Sequence, residues 1–306
     1  MIYLGSDIKD IYVGQERIIR GYIGSELFYE YKSGGVLPTN CLCFTAEADS
    51  SSVTLNQVGT PTISKNLYYS LTGDDKNTYT CGTTISLNKG DKLYMWSDDS
   101  NAVSESKSIY KKFSTTGIIS ASGDVQSLMN GSDTVGECGY AYLFQNCKLA
   151  SPPELSATTV GVNGYESLFA GSNITTAPKL PATNLSQSSY ASMFNDTKIT
   201  KAPELPATKL AKYCYQYMFY KCTTIESATL PATTLVSNCY KNMFSGCTKL
   251  NYIKAMFLTT PSTSYTGTWV YNVASSGTFV KNVDATWSVS GPNGIPSGWT
   301  VKTADS

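Results

Sequence analysis

Tyrosine recurs at positions 140, 165, 190, 215 and 240, a strict interval of 25 residues. Four residues after each stands a phenylalanine: Phe144, Phe169, Phe194, Phe219 and Phe244. Between them lie Leu143, Leu168, Met193, Met218 and Met243, and seven after each Tyr comes a small residue, Cys147, Ser172, Thr197, Cys222 or Cys247. A fixed period means that one structural unit is copied along the chain. One such unit cannot bury its own apolar face, so the copies must stack and share a core.

Apolar positions spaced zero, three, four and seven form the stripe of a short amphipathic helix. A second half-repeat has the same period: "ELSATTV", "KLPATNL", "ELPATKL" and "TLPATTL". Its Leu-x-Ala step has period two, which predicts a short strand with the Leu and Ala turned inward. Each unit therefore reads as strand, turn and short helix, and residues 136–250 as a leucine-rich-repeat solenoid of five repeats. The spacing of Cys239 and Cys247 admits a metal site, but Cys222 sits in one column with Thr197 and Ser172. A metal site does not tolerate that exchange, so the column reads as small core residues.

Outside the repeats the chain changes character. "YLGSD", "YVGQE" and "YIGSE" are apolar runs ending in Gly and a polar pair, as expected for tight turns between strands. They define an N-terminal β module over 1–33, followed by a linker over 34–40 within the stretch "KSGGVLPTN" (Lys32 to Asn40). Residues 41–135 carry runs such as "CLCFTAE", "SSVTLNQV" and "KLYMWS" between turn clusters, which predicts an all-β, sandwich-like domain capping the first repeat. After Leu250 the period is lost. Residues 251–306 hold three of the four tryptophans, Trp269, Trp287 and Trp299. They read as a C-terminal cap, with an aromatic platform for a sugar ring as the alternative. The expected fold class is thus multidomain α+β.

With 306 residues there is room for about two domains. Charge balances at 23 basic and 23 acidic residues without a basic stripe, which argues against nucleic acid as a partner. The absence of His removes the commonest general base and metal ligand. No run of 18 apolar residues predicts a membrane span. The N-terminus has no basic region followed by an apolar one, and the expectation is a chain not exported by the secretory route. Nine Cys, an odd number, read as buried thiols rather than a disulfide framework.

"CYKNMFSGCTKL" and "APELPATKL" resemble the BspA-like leucine-rich repeats of gut-bacterial surface proteins and of the phages that infect those bacteria. The segments around them, from "CLCFTAEADSSSVTL" to "GIPSGWTV", are similar to those that commonly flank such repeats, so the likeness covers roughly residues 39–306. "IYLGSDIKDIYVGQERIIRGYIGSELFYEY" is similar to short β modules that open phage structural proteins. The resemblance implies architecture and adhesion without catalytic residues to carry over.

The leading expectation is a non-enzymatic phage virion structural or adhesion protein, assembled in the host cytoplasm. It would be anchored through residues 1–33 to other virion proteins, with a homo-oligomer expected. The partner at the far end would be a host surface glycan or protein. The alternative is a bacterial cell-surface or secreted adhesin. No cofactor, metal, nucleic acid or membrane insertion is expected. A glycosidase needs only two carboxylates, and Glu154 and Glu204 share a column, but Lys179 and Thr229 fill it in other repeats. The candidate ligand-binding residues are the outward ladder Thr158, Thr183, Thr208 and Thr233, a row suited to sugar hydroxyls and equally ordinary for an exposed strand.

Overall fold

The computed structural model describes residues 37–100 and 102–304, together with four short strands nearer the N-terminus. Those strands form two antiparallel pairs, Tyr12–Val13 with Glu16–Arg17 and Gly21–Ile23 with Glu26–Tyr29. The rest of the expected N-terminal module, and residues 34–36 of the linker, lie outside the described residues.

Two sheets follow, made by strands whose side chains alternate between buried and exposed. In one, Leu42–Ala46 pairs antiparallel with Lys92–Trp96 and with Ile119–Ser122. In the other, Ser51–Val58 pairs antiparallel with Ile109–Thr116 and with Thr84–Leu87. Their inner faces meet: Phe44 on the first sheet lies edge-on to Phe113 on the second, with ring centroids 4.9 Å apart. Face-to-face packing of two sheets through alternating residues is a sandwich.

The sandwich continues into the repeats by hydrogen bonding. Ile119–Ser122 also pairs, now in parallel, with Leu149–Ser151 of the first coil. Parallel stacking then runs along the chain. Thr134–Val135, Thr159–Val160 and Asn184–Leu185 form one parallel sheet. Ser227–Leu230, Tyr252–Ala255, Thr278–Lys281 and Thr300–Thr303 form another. The repeats are therefore a β-solenoid of stacked parallel strands, and the stacking extends beyond Leu250 to Thr303. Trp269, one interval of 25 after Phe244, ends both aromatic columns, stacking on Tyr240 at 6.3 Å and meeting Phe244 at 6.0 Å.

The helix expected in each repeat is absent, and with it the α+β class. Among the described residues the only helices are a four-residue α-helix, Thr263–Thr266, and a five-residue 3₁₀ segment, Val125–Met129. The chain is nearly all β. The stretch beginning near each ladder tyrosine is instead a ribbon of tight turns. Alternate amides bond three residues back within the coil: Met218 N–H donates to Tyr215 O at 3.2 Å and Tyr220 N–H to Tyr217 O at 3.1 Å. The amides between them bond to the next coil: Tyr217 N–H donates to Lys241 O at 2.9 Å and Phe219 N–H to Met243 O at 2.9 Å. Every fourth residue takes a left-handed backbone, as at Asn163 and Ser167, Ser188, Ser192 and Asp196, or Asn238 and Asn242. An α-helix keeps φ near −60° throughout and satisfies its amides internally. This ribbon satisfies half of them in the neighbouring coil.

The inward residues make two continuous aromatic columns. Tyr140, Tyr165, Tyr190, Tyr215 and Tyr240 stack at centroid distances of 5.9, 5.6, 5.8 and 6.0 Å. The phenylalanines from Phe144 to Phe244 stack at 5.5, 5.9, 5.7 and 5.5 Å. Beside them Cys222 Sγ donates to Phe194 O at 2.8 Å and Cys247 Sγ to Phe219 O at 2.9 Å. These two cysteines of the small-residue column thus tie their coils to a carbonyl of the one before, whereas Thr197 Oγ1 donates within its own coil, to the same Phe194 O at 2.8 Å. All nine cysteines are free thiols and eight of them are buried.

Candidate functional site

Leu155, Ala157 and Val160 are buried with Thr158 exposed between them, and the later coils place Thr183, Thr208 and Thr233 in the same outward row. The four threonines thus share one exposed face, as their spacing predicts. The backbone there differs from the expected strand. Leu155–Ala157 is extended but outside any ladder, and the paired residues begin at Thr159. Coil-to-coil contact near the row runs through single bonds such as Thr158 N–H to Asp133 O at 2.9 Å and Leu258 N–H to Thr233 O at 2.7 Å.

Proline accounts for the missing ladder. The stretches before Thr158, Thr183 and Thr208 carry Pro152 and Pro153, Pro178 and Pro181, and Pro203 and Pro206, whereas the stretch before Thr233, with Pro231 alone, keeps its ladder over Ser227–Leu230. Proline has no N–H to donate, so extended segments rich in it cannot zip together across coils. What remains between them is open. One groove of about 650 Å³ is lined by Pro153, Glu154, Ser156, Pro178, Lys179 and Pro181 among others. A second, of about 530 Å³, is lined by Pro203, Glu204, Pro206, Thr229, Pro231 and Tyr252 among others. Most of these residues occupy the same positions of the repeat two coils apart.

The two grooves lie just ahead of the threonine row, and none of the four threonines lines either one. The prolines were the signal for them. Pro178 and Pro181, and again Pro203 and Pro206, recur at an interval of 25 inside what otherwise reads as a strand. Glu154 and Glu204 line different grooves, so the structure does not bring this carboxylate pair together in one site. Glu154 Oε2 instead accepts a hydrogen bond from Asn40 Nδ2 at 2.8 Å. Each groove pairs apolar walls with a few polar groups, the usual composition of a ligand-holding surface.

The three C-terminal tryptophans are buried rather than displayed. Trp269 is fully buried and donates its indole N–H to Gly294 O at 2.9 Å. Trp287 donates to Phe257 O at 3.0 Å and Trp299 to Ala274 O at 2.7 Å. These rings close the end of the core, and the aromatic-platform alternative finds no exposed tryptophan face here. Among the described residues no group of three or more His, Cys, Asp or Glu gathers as metal ligands, and no helix is long and apolar enough to cross a membrane.

Fold and surface together define a capped β-solenoid with a proline-lined, threonine-bearing face. No family model, curated protein or solved structure matches the chain.

Proposed function

We propose that the protein is a non-enzymatic component of a bacteriophage virion, structural or adhesive, that presents its solenoid to a host cell-surface glycan or protein. Its N-terminal strands would serve as the attachment module, pairing with other virion proteins or with further copies of the chain. The phage assignment rests on the resemblance of "APELPATKL" and "CYKNMFSGCTKL" to BspA-like repeats and of the N-terminal stretch to phage β modules.

The observation that carries the presenting role is the pair of equivalent grooves set two coils apart beside the exposed threonine row. A rigid periodic face of this kind matches a ligand that itself repeats, such as a polysaccharide. Periodic solenoid surfaces commonly bind extended partners in this way. Two short hairpins are marginal on their own, and supply a reason for the N-terminus to pair with another chain.

Mass spectrometry of purified virions tests the assignment, and the protein's absence from the particle would defeat it. A host-capsule glycan array tests the face. Binding by the native chain that is lost in Thr183→Lys, Thr208→Lys is the expected result, and equal binding by both would remove the ligand from this face.

A further inference from the structure

One coil departs from its neighbours on the turn-ribbon face. At the positions where adjacent coils carry Ser188, Ser192 and Asn195, or Asn238, Asn242 and Ser245, this coil carries the half-buried Tyr213, Tyr217 and Tyr220. Lys212 and Lys221 flank them, where the preceding coil has Gln187 and Asp196 and the following one Ser237 and Gly246. Lys241, in the following coil, is the next cation along the chain, and its carbonyl accepts the Tyr217 amide at 2.9 Å.

The placement runs against backbone preference. Tyr213 has φ of 62° and Tyr217 has φ of 56°. Glycine, Asn and Asp adopt this left-handed region most readily, whereas a bulky residue there is an outlier. Tyr142 occupies the same column as Tyr217, but its ring lies against Tyr110 at 4.8 Å and its hydroxyl reaches Glu166 at 3.4 Å. That tyrosine is explained by packing against the sandwich. The half-buried Tyr217 makes its one ring contact among the described residues with Tyr220, edge to face at 5.4 Å. Among the described residues, none of the three phenol hydroxyls has a hydrogen-bond partner, and none of the three lysines pairs with a carboxylate. Residues held in a strained backbone cluster at functional positions.

Two of the lysines lie against these rings. Lys212 Nζ lies 4.9 Å from the centre of the Tyr213 ring and Lys221 Nζ 5.3 Å from that of Tyr220. Gly246 leaves room for the stem of Lys221: a Cβ there would stand 3.3 Å from Lys221 Cγ.

We propose that this patch binds an acidic polysaccharide, with sugar rings resting on the tyrosine faces and uronate carboxylates meeting the lysines. Aromatic faces beside free cations suit a ring that carries a sparse negative charge. The surrounding rows are neutral, with Ser192 and Asn195 on one side and Asn238 and Asn242 on the other, and suit sugar hydroxyls. Asp196 stands beside Lys221 in the column, and three lysines do not make the continuous basic groove that tracks a phosphate backbone. The observations therefore favour a glycan over a single-stranded nucleic acid. This site lies on the turn ribbon rather than in the proline grooves, and does not depend on the virion assignment.

The test is calorimetry or interferometry of the full chain against polygalacturonate, alginate and hyaluronate, with neutral dextran and a thymidine oligonucleotide alongside. At least one acidic glycan is expected to bind more than about tenfold tighter than dextran, with the preference falling as salt rises. Tyr217→Asn with Tyr220→Ser, residues borrowed from the next coil, is expected to weaken binding by about tenfold or more while the melting temperature holds or rises. Lys212→Gln with Lys221→Gln should do the same and flatten the salt dependence, and Thr183→Lys with Thr208→Lys should leave this binding intact. No acidic glycan bound above dextran, unchanged binding in both patch variants, or tighter binding of the oligonucleotide would each overturn the proposal.

Discussion

Phe113, on the β-sandwich, stacks on Phe144, the first phenylalanine of the solenoid column, with centroids 5.2 Å apart and planes within 13°. The sandwich therefore supplies the first ring of the ladder, as Trp269 at the other end lies over Phe244 at 6.0 Å. Main-chain bonding crosses the same junction, because Phe113 N–H donates to Leu143 O at 2.8 Å and Cys147 Sγ donates to Phe113 O at 3.0 Å.

A shared ring stack makes the two parts one cooperative core. Phe144→Ala is expected to destabilise the protein by about 3–5 kcal/mol, the usual cost of emptying a buried aromatic site. Sandwich and solenoid should lose structure together. Denaturant unfolding followed by Trp96 in the sandwich and by far-ultraviolet circular dichroism checks this. Coincident curves are expected, and two separated transitions would show that the junction does not couple the parts.

The turn ribbon makes a prediction of opposite sign from the helix it replaces. Ser192 has φ of 56°, and its amide bonds to Gln216 O in the next coil at 2.8 Å. In a helix interior Ser192→Gly lowers stability by roughly 0.5 kcal/mol. In the ribbon it relieves a left-handed side chain and should raise stability by about 1 kcal/mol. Thermal melting of this one variant separates the two conformations.

That contrast also explains what the sequence disclosed and what it hid. The period of 25 was visible, and with it stacking, a shared core and the burial of Tyr240, Phe244 and Cys247. The local conformation was not. Tyr240, Met243, Phe244 and Cys247 fit a helical stripe, yet a ribbon whose motif recurs every four residues presents the same four inward. A helix turns every 3.6 residues, so the two periods drift by less than one residue over so short a span. The distinguishing signal lay on the outer side: Asn238, Asn242 and Gly246, or Ser188, Ser192 and Asp196, are poor helix formers set four apart. Likewise the threonine row was legible from alternation. The grooves were not, because they arise from amides that proline lacks rather than from side chains that are present. Past Leu250 the columns end on Trp269, one period after Phe244, and the exchange of Phe for Trp sufficed to mask that last step.

Thiol reactivity should separate one cysteine from the rest. Cys81 is half-buried while the other eight are buried. Burial pushes the Cys222 and Cys239 thiols up to about 11 and those of Cys147 and Cys214 up to about 12. A thiolate is the reactive species, so these groups are poor nucleophiles in the folded chain. A maleimide at neutral pH is expected to label Cys81 first, with the remainder reacting only after denaturation. Peptide mapping showing early modification of Cys222 or Cys247 would contradict the ladder's burial.

Alkaline pH should unfold the protein through the same buried column. Burial holds the phenols of Tyr140, Tyr165, Tyr215 and Tyr240 well above their ordinary value, and the Cys247 thiol likewise. In the unfolded chain thiols lose their protons near about 8.5 and phenols near about 10. Between those values and the raised folded ones, the unfolded chain binds fewer protons than the native one, so stability must fall as pH rises. The loss begins near about pH 8.5 through the buried thiols, Cys147, Cys214, Cys222, Cys239 and Cys247 among them, and steepens above about 10 as the tyrosines join, at about 1.4 kcal/mol per group per pH unit. Lys111 acts the other way: burial lowers its pKa, so raising the pH toward its unfolded value removes a penalty. One lysine does not offset a column of tyrosines and thiols. Melting temperature measured from pH 7 to 11 should therefore stay level, then fall steeply, with Tyr190→Phe delaying the fall because its phenol, also raised by burial, no longer titrates on unfolding. A flat profile through pH 11 would mean that these hydroxyls are not buried as the stack requires.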